Sequence, residues 1–166
     1  MRYLMKQKVF CLGDDFAVKD DRGRDAFYID GKVFTLRQTL VFLDPGGSEV
    51  ARIVKRILSF GPSYDLYRGG KHVANVRKQV FTLFRCKFTI DVPGPDDYEA
   101  AGNFIDHAYR FERGGRTVAE VSKRWFSLTD SYGVDIVDGE DPLLILAGTV
   151  VIDLCCHDEH GSHGKK

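Results

Sequence analysis

The sequence predicts a mainly β protein: a closed antiparallel barrel of about twelve strands around one central, apolar C-terminal α-helix. Three observations carry this. Short β-branched and aromatic runs alternate with turn residues from the N-terminus to Gly139. Three of those runs are copies of one pattern. The chain then enters an almost wholly apolar stretch, DPLLILAGTVVIDLCC, from Asp141 to Cys156.

The strands come first in the chain. Turn signals such as Asp20-Asp21-Arg22-Gly23, Pro45-Gly46-Gly47, Gly69-Gly70, Pro93-Gly94-Pro95 and Gly114-Gly115 separate them. They are predicted near 6–11, 14–19, 25–30, 38–43, 49–58, 63–68, 71–81, 86–91, 97–105, 107–113, 116–126 and 131–137. The repeat reads VARIVKRILSF from Val50, VANVRKQVFTL from Val73 and VAEVSKRWFSL from Val118. A repeated hairpin that cannot bury its face alone closes with its copies around a common core. Alternation puts Ala51, Ile53 and Ile57 on one face, as it does Ala74, Val76 and Val80, and Ala119, Val121 and Trp125. That face is assigned inward. Twelve strands tilted by about 40° place the sheet roughly 12 Å from the barrel axis, which leaves room for a single helix.

The helix is expected at 142–156. Asp141 is a good N-cap and Pro142 a good first residue. No charge occurs from Leu143 to Ile152, so every side of the helix must be buried. At about 1.5 Å per residue it spans roughly 22 Å, less than the ~30 Å of a bilayer core, so no transmembrane span is expected. Asp153 is the one acid within the run. It must be exposed, paired or protonated. The simplest reading is that the helix leaves the barrel there.

The 166 residues suit one domain, 1–156, followed by a disordered polar tail, 157–166. Lys+Arg and Asp+Glu are equal at 24 each, so no general attraction to nucleic acid is expected. The N-terminus has no apolar secretory core, and Cys11, Cys86, Cys155 and Cys156 form no disulfide framework. A cytoplasmic protein is expected, with peripheral contact at the membrane as the further possibility.

The segments VARIVKR and VAEVSKRWFSLTDSYGVDI, followed by DPLLILAGTVVIDL, resemble the LURP-one-related family and, more remotely, the phospholipid scramblases. The resemblance covers about residues 3–156. It implies the Tubby C-terminal-like fold, a closed barrel threaded by an apolar helix. What it implies about activity is thinner. Founding plant members are linked to defence, Tubby domains bind phosphoinositides, and scramblases act on lipids. These groups share no catalytic residue set.

The candidate ligand-binding residues are the basic pairs of the repeat: Lys55 and Arg56, Arg77 and Lys78, Lys123 and Arg124. Alternation turns the lysines inward and the arginines outward. Three readings stand: lysines that snorkel to water at the rim, lysines paired with Asp153, or a basic ring at one mouth that meets phosphate. Cys155, Cys156, His157, His160 and His163 have ligand types suited to zinc, but their spacing matches no closed site, so neither metal nor cofactor is expected. His107 reads as a hydrogen-bonded core histidine rather than a base. No nucleophile elbow, zinc-protease motif or phosphate loop is present. The expected function is non-catalytic binding of an anionic phospholipid headgroup, such as a phosphoinositide, or of another phosphorylated ligand. The alternative is a protein-interaction or structural scaffold.

Overall fold

Strict alternation along short strands produces a sheet with one apolar face, and that face closes on itself. In the computed structural model the described residues are 1–6, 16–31, 39–82, 85–123 and 131–161. The strands are β1 Arg2–Lys6, β2 Phe16–Asp20, β3 Asp25–Asp30, β4 Thr39–Leu43, β5 Glu49–Lys55 and β6 Ser63–Arg68. They continue with β7 Lys71–Thr82, β8 Arg85–Asp91, β9 Tyr98–Asn103, β10 Ala108–Arg113, β11 Arg116–Ser122 and β12 Ser131–Ile136. The helix α1 is Pro142–Gly161. Each strand pairs antiparallel with the next, and β1 closes the barrel against β12 through the register Arg2↔Asp135 to Lys6↔Ser131. An Arg2–Asp135 ion pair at 2.8 Å and a 2.7 Å hydrogen bond from the N-terminal amine to the Ile136 carbonyl reinforce that seam.

Some predicted boundaries shift. The first strand begins at Arg2, where it pairs with β12, rather than near Lys6; residues 7–11 of the expected strand lie outside the described residues. β5 stops at Lys55 instead of running to 58, so Ile57 is exposed and not inward. β11 ends at Ser122; Trp125, expected inward, lies outside the described residues. The helix continues to Gly161, so the segment expected to open a disordered tail at 157 begins as helix.

The lumen is packed by size. Across five adjacent strands the inward row Phe88, Ala100, Phe111, Ala119, Ile136 alternates large and small, and all five are buried. Phe42 faces Ala51 and Leu66 faces Ala74 in the same way. Such alternation leaves a channel for α1. Leu143 to Leu154 are buried on every side of the helix, apart from the missing side chain of Gly148. Asp141 caps its start: Oδ1 accepts from the backbone N–H groups of Leu143 at 3.1 Å and Leu144 at 3.3 Å. Gly148 lies close against the wall. A Cβ there would lie 2.6 Å from Ile90 Cδ1 and 3.3 Å from Phe111 Cε1.

Gly148→Leu should therefore overpack the lumen and lower the free energy of urea unfolding by about 1–3 kcal/mol or more. An unchanged unfolding midpoint and slope would show that the helix does not press on Ile90.

Candidate functional site

The up-and-down order gives the barrel two chemically different ends. Odd-numbered strands all run the same way. β12 delivers the chain into α1 at one end, the entry end, together with the turns after β2, β4, β6, β8 and β10. The turns after β5 and β9 lie at the opposite, far end.

The basic candidates fall at the far end, where β5, β7 and β11 finish. Lys55 is the last residue of β5 and pairs in register with Tyr64, over whose ring its Nζ lies at 5.8 Å. Ser63 pairs with Arg77, and the Lys78 backbone N–H donates to the Pro62 carbonyl at 3.1 Å. Lys55, Arg56, Arg77 and Lys78 thus surround the base of one loop, 56–62. Lys123 follows β11, four strands around the rim from β7. Arg124 lies outside the described residues. Lys78 is buried on the lumen face with Ala74 and Val76, Lys55 and Lys123 are half-buried, and Arg56 and Arg77 are exposed.

The two arginines are not open to a ligand. Arg56 Nε is 2.9 Å from Asp65 Oδ2, and Arg77 pairs closely with Asp91. Asp65 is further held by Asn75 Nδ2 at 2.8 Å and His72 Nε2 at 3.0 Å. The pairings follow from cross-strand register, since Asn75 sits opposite both Asp65 and Asp91. Bidentate arginine contacts to phosphate, expected from the sequence, would require breaking them.

What the sequence reading missed is apolar. Leu58 and Phe60 are fully exposed in the 56–62 loop, and Ile57 and, in the turn after β9, Ile105 are more than half exposed. These side chains crown the same end as the lysines. The available signal was Gly61-Pro62, which stops β5 early and turns the alternation after Lys55 into loop.

Inside the far end lies a buried polar cluster. Asp153 is 1% exposed, which overturns the expectation that the helix leaves the barrel there. The helix continues to Gly161, so Asp153 is not at its end. Its Oδ2 accepts a short hydrogen bond from the Tyr132 hydroxyl, and its Oδ1 is 3.2 Å from His107 Nε2. The His107 ring stacks on Tyr132 with centroids 4.2 Å apart, and its backbone takes φ 48°, strained for a non-glycine residue. Ile105 points to solvent because residues 104–107 form a turn. Burial first, and then the Asp153 charge, push the hydroxyls of Tyr132 and Tyr109 well above the ordinary phenol range, so both stay protonated. The cluster is closed to solvent, so it meets no substrate at a surface. The Tyr132 hydroxyl satisfies one oxygen of the buried carboxyl, whereas among the described residues neither His107 ring nitrogen makes a hydrogen bond, against the expectation of a hydrogen-bonded core histidine.

The comparisons with known proteins bear on the whole barrel. The LURP-one-related family profile matches residues 1–153. The chain belongs to this family. Along 155 residues it is 31% identical to the uncharacterised protein YxjI of Bacillus subtilis (strain 168), covering 93% of each chain. The X-ray structure of an Arabidopsis thaliana protein superimposes with a TM-score of 0.66 at 16% identity, covering 94% of this chain and 91% of that one. That likeness shows the shared barrel and helix. Among the described residues, no helix is long and apolar enough to cross a membrane and no group of side chains is arranged to hold a metal ion.

Asp153→Ala should cost about 3–5 kcal/mol, the range for removing one partner of a buried pair, and Asp153→Asn clearly less because it keeps a hydrogen-bond acceptor. Chemical denaturation checks both. A change within ~0.5 kcal/mol for the alanine variant, as for an ordinary surface site, would contradict a buried, paired Asp153.

Proposed function

We propose that this LURP-one-related barrel is a non-catalytic module that docks on an anionic phospholipid surface with its far end. The observation that carries this reading is the fully exposed Leu58 and Phe60 in a loop whose base bears Lys55. Large apolar side chains held in water gain about 1.5–3 kcal/mol each when buried in an apolar phase. A lysine or arginine near an anionic leaflet adds about 1 kcal/mol. Either signal alone gives marginal, reversible binding; together they are the combination that peripheral membrane proteins use. The half-buried Lys55 and Lys123 suit this role because their heads can snorkel from the rim. The remote likeness to families that bind or act on lipids supports the same reading. The closure of the Asp153–His107–Tyr132 cluster favours a structural role for it over a catalytic one.

Sedimentation with phosphatidylcholine vesicles, with and without phosphatidylserine or a phosphoinositide, tests this. The wild type should bind the anionic vesicles at low salt and weaken as salt rises. Leu58→Ser with Phe60→Ser should lower the partition coefficient at least about tenfold without lowering the melting temperature. No wild-type binding at low salt would remove the lipid reading and leave a protein partner for the exposed loop. Equal binding by the double variant would put the lipid contact elsewhere.

A further inference from the structure

The entry end holds a second site of different chemistry. Arg68, the last residue of β6, and Arg113, the last of β10, line a cavity of about 260 Å³ over the first turn of α1. Arg113 is fixed in place. Its Nε donates to the Asp96 carbonyl at 3.2 Å, its Nη1 donates to the Tyr98 hydroxyl at 3.0 Å, and its guanidinium lies 4.7 Å from the Tyr98 ring centre. Arg68 donates from Nη2 to Asp141 Oδ1 at 2.7 Å, but its buried Nε–H has no hydrogen-bond partner. A guanidinium has five N–H donors, and a buried one left without an acceptor is costly.

The acids nearby are already engaged. The Tyr98 hydroxyl donates to Glu140 Oε2 at 2.7 Å, and burial together with that bond pushes the Tyr98 phenol up to about 12, so it remains a donor. Asp141 Oδ1 accepts from Arg68 and from the helix N-terminus. Burial opposes its charge, yet those bonds hold its carboxyl below the usual range. Val73, Val92 and Leu144 add apolar lining to the same cavity. The volume is below the ~300 Å³ at which drug-sized pockets begin.

We propose that this cavity binds a small organic oxyanion, a carboxylate or phosphate on a short apolar body. Its oxygens accept those terminal N–H groups of Arg68 and Arg113 that Asp141, Asp96 and Tyr98 do not engage, and its body rests on Val73, Val92 and Leu144. Arginine suits this work because its planar fork matches oxyanion geometry. The site is at the opposite end of the barrel from the exposed 56–62 loop and does not depend on lipid docking.

NMR of arginine Nε–H signals in the full chain tests it, with butyrate, phenyl phosphate, inorganic phosphate and sodium chloride as separate titrants. Butyrate or phenyl phosphate should shift the Arg68 signal saturably, and which of the two binds tighter tells carboxylate from phosphate monoester. Val73→Phe, which fills the apolar side and keeps both arginines, should weaken the tighter probe at least about tenfold. Leu58→Ser with Phe60→Ser should leave it unchanged, whatever that variant does to vesicle binding. Shifts reproduced by chloride, saturation by inorganic phosphate alone, or unchanged affinity in a folded Val73→Phe variant would overturn the proposal.

Discussion

A closed twelve-strand sheet leaves a lumen too wide for its own side chains to fill, and whatever occupies it must bury its backbone without water. A helix meets that demand because its interior N–H and C=O groups pair with one another. The rest of the structure follows from this. The wall alternates large and small residues, as along Phe88, Ala100, Phe111, Ala119 and Ile136, so that an apolar cylinder fits. Gly148 lets the cylinder approach Ile90, and Asp141 seals its open end. Asp153, a carboxyl on the buried helix, is met in the lumen by the Tyr132 hydroxyl, with His107 3.2 Å away.

The helix fills the interior, so the two proposed binding surfaces lie outside it, at the two ends. Antiparallel order makes them unlike. The far end gathers the lysines of the repeat and the bare Leu58 and Phe60. The entry end gathers Arg68 and Arg113 around a cavity at the helix cap. The first suits a broad apolar and anionic surface, the second a small ligand. Neither needs the central packing to change.

The fold was legible because its two determining signals are local. A charge-free run after an N-cap and three copies of one alternating pattern can each be read from neighbouring residues. Interior faces followed wherever alternation stayed within a strand, as at Ala51, Ile53, Ala74, Val76, Ala119 and Val121. They failed at Ile57, where the strand had already ended at Lys55. The sites were less legible because they depend on register and closure. That Arg77 meets Asp91, that His107 reaches Asp153 from the turn after β9, and that Arg68 and Arg113 face one cavity all join residues distant in sequence. Asp153 was misread because the helix was ended too soon.

If the helix is the core on which the barrel closes, it cannot open while the barrel stands. Hydrogen exchange followed residue by residue measures this directly. The amides of residues 149–155 should exchange only with the free energy and denaturant dependence of global unfolding, together with central strand amides such as those of Val76 and Ile90. Exchange of these helix amides through a smaller opening, with the strands still protected, would show a barrel that stands without its helix and contradict the account.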